Sequence, residues 1–200
     1  MAHGPAEDRG RLVVITGPSG AGKGTLIRRL VERRPDLEVA VSATTRPRRE
    51  SEVDGVHYYF LSEEEFVDRI EHGEFLEHVR YVSGHRYGTL RSEVARIRDA
   101  GRSCILELET EGARRVKELE PDSVTIFVAA PSFDELERRL RDRATESAGE
   151  IGERLELARR QTEEKDDFEH VVVNDDLERA VGELDELIAR APANAGASHA

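Results

Sequence analysis

The sequence predicts an α/β fold: a three-layer core in which a five-stranded parallel sheet lies between helices, interrupted by a small α+β insertion. Three observations predict it. Short apolar, β-branched runs alternate with amphipathic stretches along most of the 200 residues. The first such run passes straight into a glycine-rich stretch that opens a helix. Residues 42–95 break the alternation with an aromatic run and a capped helix of their own.

In chain order, residues 12–16 form a continuous apolar run and read as a strand buried on both faces. A helix follows over 23–33 and stops near Pro35. Further core strands are expected at 38–41, 104–108, 124–129 and 170–173. Ser132 and Glu135 have capping-box spacing and open a helix over 133–142. Amphipathic helices are expected over 150–168 and 177–190. Inside the interruption, Asp54-Gly55 precedes the aromatic run Tyr58-Tyr59-Phe60. Ser62 and Glu65 then cap a helix reaching Glu71, and 75–79 is extended. There is no internal repeat.

The hydrophobic fraction is 38% and the charged fraction 36%, as expected of a soluble chain with many solvated helices. No apolar run approaches the roughly 20 residues of a membrane span, and residues 1–11 lack the apolar core of a secretory signal. The single cysteine, Cys104, lies in an apolar run and reads as a buried structural thiol in a reducing cytoplasm. A net charge of −12 argues against a broad nucleic-acid surface. The arginines nevertheless cluster, at Arg46, Arg48 and Arg49 and again at Arg138, Arg139, Arg141 and Arg143. Such clusters suit small anions.

The most informative segment is Gly17-Pro18-Ser19-Gly20-Ala21-Gly22-Lys23-Gly24-Thr25. It lies between a strand and a helix, the setting of a Walker A phosphate loop. Main-chain N–H groups of such a loop form an anion nest, and the helix N-terminus adds partial positive charge. Lys23 reaches the β- and γ-phosphates of a nucleoside triphosphate and follows the charge that develops on transfer. The usual hydroxyl directly after the lysine is replaced by Gly24, and Thr25 follows. Nucleoside monophosphate kinases tolerate this order, which assigns Thr25 to the Mg²⁺ and phosphate shell.

The segment 42–58, with Thr45-Arg46-Pro47-Arg48-Arg49 and Glu52-Val53-Asp54-Gly55, resembles the guanylate kinase signature. So do Glu74-Phe75-Leu76-Glu77, Tyr87-Gly88-Thr89 and Val172-Val173-Asn174-Asp175. The resemblance runs from about residue 12 to 187. It implies a P-loop NTPase core, an inserted GMP-binding subdomain and a mobile helical lid, with ATP and GMP as substrates and Mg²⁺ as cofactor. On that pattern the core takes 9–41, 93–133 and 164–190, the insertion 42–92 and the lid 134–163. The lid's moving tip falls at 144–149, and flexible tails at 1–8 and 191–200 flank the domain at 9–190.

The resemblance also implies roles. Arg46, Arg49, Tyr58 and Tyr87 hold the GMP phosphate, through forked charge-assisted bonds and hydroxyl donors. Arg48 lies between matched positions and has no role. Glu77 reads the base, because guanine offers N1–H and an exocyclic amine on one edge and adenine does not. Ser42 and Thr89 match hydroxyl positions that meet guanine O6. Glu107 and Glu109 share one face of a strand end and suggest a Walker B-like role. Glu107 orients Mg²⁺ through water, and Glu109 sits by the GMP base or the phosphate loop. The family has Asp in place of Glu109 and Gln in place of Glu111. Arg139, Arg143 and Arg154 match lid arginines that offset transition-state charge. Asn174 falls where the family meets the adenine of ATP. Tyr81 and His85 lie where the family spacing shifts by a residue.

Two other readings compete. A P-loop kinase of a ribose phosphate or another nucleotide has no use for a guanine reader such as Glu77. A non-catalytic guanylate-kinase-like binding module loses the catalytic loop that this chain keeps.

Overall fold

The computed structural model describes residues 10–81, 84–142 and 148–191. The expected tail at 1–8, nearly all of that at 191–200, and the lid tip up to residue 147 lie outside these.

The core sheet is built from β1 (Leu12–Thr16), β2 (Leu37–Val39), β7 (Ser103–Glu107), β8 (Val124–Ala129) and β9 (His170–Val173). Its order is β2-β7-β1-β8-β9, and every neighbouring pair is parallel. This is the five-stranded parallel sheet that the alternating pattern predicts. β1 lies at the centre and is fully buried, which is why it reads as an unbroken apolar run.

Strand alternation sends β1 side chains into two separate cores. Val13 and Ile15 pack with Leu26, Ile27 and Leu30 of α1 (Lys23–Arg33) and with Val181 and Leu184 of α7 (Leu177–Arg190). Leu136 and Leu140 of α5 (Phe133–Asp142) and Ala158 of α6 (Ala148–Glu163) join that core. Leu12 and Val14 face Val94 and Ile97 of α3 (Arg91–Asp99) and Ala113 and Val116 of α4 (Thr110–Leu119). Cys104 belongs to this second core; it is buried and unpaired, and burial pushes its thiol up to about 12.

The insertion carries a second sheet, ordered β4-β3-β6-β5, from β3 (Ala43–Thr44), β4 (Tyr59–Phe60), β5 (Phe75–Arg80) and β6 (Arg86–Leu90). It closes over α2 (Glu63–Glu71) with a small core of its own: Ala43, Phe66, Phe75 and Leu90. Phe66 stacks on Phe75 at 4.3 Å. The expected capping box is complete. Ser62 Oγ accepts from Glu65 N at 3.1 Å, and Glu65 Oε2 accepts from Ser62 N at 2.8 Å.

Several expectations need correction. The strand expected at 38–41 ends at Val39, because the Val41 N–H turns away to the Glu93 carboxylate at 3.1 Å. The strand expected at 104–108 runs one residue earlier. The helix expected over 150–168 ends at Glu163, and Glu164–Asp167 tighten into a 3-10 turn. That turn delivers Phe168 to the core against Phe127, with centroids 5.6 Å apart. The box expected at Ser132 is half formed: Ser132 Oγ accepts from Glu135 N, but the Glu135 carboxylate faces Arg138 and Arg139. Helices α3 and α4 have an acidic residue in the first turn, Glu93 and Glu111, but no side-chain cap. Their caps are Leu90 and Glu109, neither of which makes a side-chain capping bond. Among the described residues, no helix is long and apolar enough to cross a membrane.

Replacing Ser62 by Ala removes one half of the capping box directly. Urea unfolding should register a loss of about 1 kcal/mol, with no change in secondary structure by circular dichroism.

Candidate active site

The glycine-rich segment leaves the end of β1 and closes at the N-terminus of α1. Gly22 is the cap of α1, with φ at 94° in the left-handed region and no side-chain capping bond. No side chain therefore competes with an anion for the first-turn N–H groups of α1, of which Thr25 N already donates to Gly22 O at 3.1 Å. Any Cβ at Gly22 would also lie 2.3 Å from Asn174 Nδ2. That contact matters, because Asn174 Nδ2 donates to Ala21 O at 2.7 Å and ties the loop to the end of β9.

Lys23 folds into the loop, where Nζ donates to Gly17 O at 2.5 Å and to Pro18 O at 3.2 Å. Burial lowers its pKa, and the nearby carboxylates of Glu107 and Glu109 oppose that shift. Thr25 is half-buried on the first turn of α1. A Cβ placed on Gly24 would stand 3.9 Å from Glu107 Oε2, so that carboxylate overhangs the start of the helix. Desolvation raises the pKa of Glu107, Lys23 pulls it back, and Glu109 adds to the rise.

Between the core sheet and the insertion lies a cleft of about 330 Å³. Its walls include Ser42, Tyr58, Glu77, Tyr81, Tyr87, Glu107 and Glu109. A second cleft of about 380 Å³ shares Ser42, Tyr58, Tyr81, Glu107 and Glu109 with the first and extends to Ser19 and Lys23. One groove thus leads from the insertion to the phosphate loop.

Glu77 closes the far end. It is 4% exposed, and its Oε1 accepts from Thr89 Oγ1 at 2.8 Å. Burial raises its pKa, with the Thr89 hydrogen bonds acting against the rise. Gly112 presses on the other oxygen: a Cβ there would be 3.0 Å from Glu77 Oε2. A fixed, desolvated acceptor of this kind suits a ligand edge bearing two N–H donors.

On the insertion's rim, Arg46 is gripped by Glu52, at 3.0 Å and 2.7 Å from its two terminal nitrogens. The guanidinium lies 5.4 Å over the Tyr58 ring and also meets the Tyr87 hydroxyl. Arg46 and the Arg49 main-chain N–H hold the Glu52 carboxyl down at about 2. The Arg49 side chain is exposed beside them. Arg48 donates to Glu52 O at 2.7 Å and so fastens the same loop.

From α6, Arg154 Nη2 donates to Ser19 Oγ at 3.2 Å, directly on the glycine-rich loop. Arg139 donates to Glu135 Oε1 at 2.7 Å and to Asn174 O at 3.2 Å. The side-chain amide of Asn174 donates to Ala21 O, while its main-chain N–H and carbonyl are taken by Ala129 O and Arg139, so its Oδ1 is the acceptor left for a ligand. Arg143 lies outside the described residues.

The structure therefore gathers Lys23, Ser42, Tyr58, Glu77, Thr89, Tyr87, Glu107 and Glu109 along one groove, with Arg46 at its rim and Arg154 at its loop end. Sequence reasoning gave no role to Glu52, Tyr81, Gly112 or Gln161. Glu52 could have been found from its position three residues past Arg49 in a basic loop. Gln161 carries no local signal, because its partner is Glu109, far away in the chain. Among the described residues, no group of three or more His, Cys, Asp or Glu is arranged to hold a metal ion alone.

A family model described as Guanylate kinase matches residues 9–191. A guanylate kinase of Synechococcus sp. (strain JA-3-3Ab) is 48% identical over 184 residues, spanning 92% of this chain and 84% of that protein. One from Rubrobacter xylanophilus is 50% identical over 182 residues, spanning 91% and 95%. Among solved structures, a guanylate kinase from Anaplasma phagocytophilum superposes with a TM-score of 0.72 at 30% identity, covering 90% of this chain and 85% of that one. A shikimate kinase from Bacteroides thetaiotaomicron, at 16% identity and a TM-score of 0.50, shares the fold.

Burial makes ionised Glu77 costlier in the fold than in the unfolded chain. That penalty is absent below the unfolded carboxyl's titration and grows as pH rises through the raised folded pKa. Glu77→Gln should therefore raise the melting temperature of the ligand-free protein by roughly 2–4 °C at pH 8. The difference should vanish near pH 4, as thermal melts at the two pH values will test.

Proposed function

The chain belongs to the guanylate kinase family of nucleoside monophosphate phosphotransferases, and from that premise we propose that it moves the terminal phosphoryl group of ATP reversibly onto GMP, giving ADP and GDP. One observation carries the reading: the groove that begins at buried Glu77 and Thr89 ends at Lys23 and the phosphate loop. Two nucleotides in that groove lie with their phosphates toward each other.

Guanine enters against Glu77, which accepts from N1–H and the exocyclic amine, while Ser42 donates to O6 and the Thr89 hydroxyl turns its proton from Glu77 to O6. Glu109 stands beside the base. Adenine presents an unprotonated N1 and no amine there, so AMP leaves a buried carboxylate unpaired. The acceptor phosphate sits under Arg46, Arg49, Tyr58 and Tyr87. Its forked bond to Arg46 replaces or shares the one that Glu52 makes.

The donor triphosphate takes the loop from Gly17 to Thr25, with its adenine near Asn174. Lys23 leaves its loop carbonyls for the β- and γ-phosphates. Arg154, already on Ser19, lies on the side from which lid arginines approach the transferring group; Arg139 and Arg143 complete that set. These cations and the main-chain nest balance charge as it spreads over the transferring oxygens. Lid closure excludes water, which competes with GMP as acceptor. The acceptor phosphate is already ionised and needs no general base.

The donor set fits Mg²⁺. The Thr25 hydroxyl and the Glu107 carboxylate overhanging Gly24 are both hard oxygen donors, and so few protein ligands suit an ion that keeps waters and binds phosphate oxygens. When bound, Mg²⁺ supplies charge neutralisation on the phosphates. We place the activity in the cytoplasm; the buried, unpaired Cys104 thiol supports a reducing compartment.

A coupled ADP-release assay with GMP, AMP, UMP and CMP tests the reading. GMP should exceed AMP by about 10³-fold or more in kcat/KM, and equal turnover of the two would reject the role of Glu77. Lys23→Ala should lower kcat by about 10³-fold while the circular dichroism spectrum stays unchanged.

A further inference from the structure

Gln161, on the last turn of α6, is only 5% exposed. Its side-chain amide Nε2 donates to Glu109 Oε2. Glu109 is the cap residue of α4, yet its carboxylate makes no capping bond to that helix. It is turned instead toward Gln161 and the hydroxyl of Tyr81. Tyr81 packs edge-on against Tyr87 with centroids 4.8 Å apart, and Tyr87 lines the acceptor cleft beside Tyr58 at 6.0 Å. A continuous series of contacts therefore leads from α6, the helix that carries Arg154, to the rings around the acceptor phosphate.

The chemistry of the pair is selective. Glu109 shares the cleft with Glu107, so like-charge repulsion alone tends to push it out toward solvent. A neutral amide that donates can hold the carboxylate in place without adding charge. A carboxylate at position 161 would offer only lone pairs.

We infer that Gln161 is a positioning residue for the reaction: by holding Glu109 in the acceptor cleft, it ties GMP binding to the seating of the lid helix α6. This rests on the guanylate kinase reading above.

Steady-state kinetics of the full chain, with each substrate varied separately, test it. In Gln161→Met, KM for GMP should rise about tenfold while KM for ATP stays within about twofold and kcat within about threefold. Gln161→Glu keeps the size and loses the donor, and should give the same selective rise. In a Glu109→Ala background, Gln161→Met should add nothing further to KM for GMP. Equal rises in both KM values, no rise in either, or an undiminished effect without the Glu109 carboxylate would each overturn the inference. A wild-type protein that does not turn over GMP would sink the kinase reading itself. An active wild type with an indifferent Gln161→Met variant removes only the inference.

Discussion

The hydrogen bond from Asn174 to Ala21 O fixes the phosphate loop in space, and the rest of the site is arranged around that loop. It joins the end of β9 to a segment that leaves β1, two strands that are not neighbours in the sheet. The bond is possible only because Gly22 has no side chain to fill the 2.3 Å gap and can adopt a left-handed backbone. Once the loop is pinned, the N-terminus of α1, the Lys23 ammonium and the overhanging Glu107 have fixed relative positions. Arg139 adds a second restraint through the Asn174 carbonyl. Helix α5 is thereby attached to the same anchor that holds the loop.

The acceptor end obeys the opposite logic. The loop offers donors to an anion, whereas Glu77 offers a desolvated acceptor to a neutral edge. Thr89 holds Glu77 through its hydrogen bonds, and Gly112 has no side chain to crowd the other oxygen, so Glu77 is fixed yet keeps pairing capacity toward the cleft. A desolvated carboxylate lowers the stability of the empty fold when it is ionised. The same deficit makes a ligand with two well-placed donors worth far more than one without them. The cost in stability and the gain in discrimination have a single origin.

The core was legible in the sequence because its signals are local. β1 reads as a buried central strand since it is apolar throughout, and α1, α5 and α7 begin and end where the glycine-rich loop, Ser132 and the 176–177 junction suggest. The phosphate loop, likewise, is contiguous. The elements that escaped notice lack local markers: α3 and α4 start at Leu90 and Glu109 without capping side chains, and α3 buries Glu93 and Arg98, which blurs its apolar period. The arginine loop at 46–49 stands out as a motif, but its internal wiring does not. The Glu52 grip on Arg46 and the Gln161 hold on Glu109 depend on how loops and helices meet in space. Arg48 illustrates the converse, since a residue that the motif leaves without a role fastens the Glu52 loop.

The charge balance ties these features together. A chain with net charge −12 repels polyanions at long range, yet the proposed substrates carry several negative charges each. The answer lies in how each arginine is kept. Arg46 is held by Glu52, Arg139 by Glu135, and Lys23 faces Glu107 and Glu109. These carboxylates keep clustered cations from repelling one another and orient the guanidinium groups before any phosphate arrives. In the proposed reading, binding exchanges a carboxylate for a phosphate instead of neutralising a bare cation. The net electrostatic gain per contact is then modest, and selectivity must come from geometry: the forked phosphate contacts at one end of the groove and the buried carboxylate at the other.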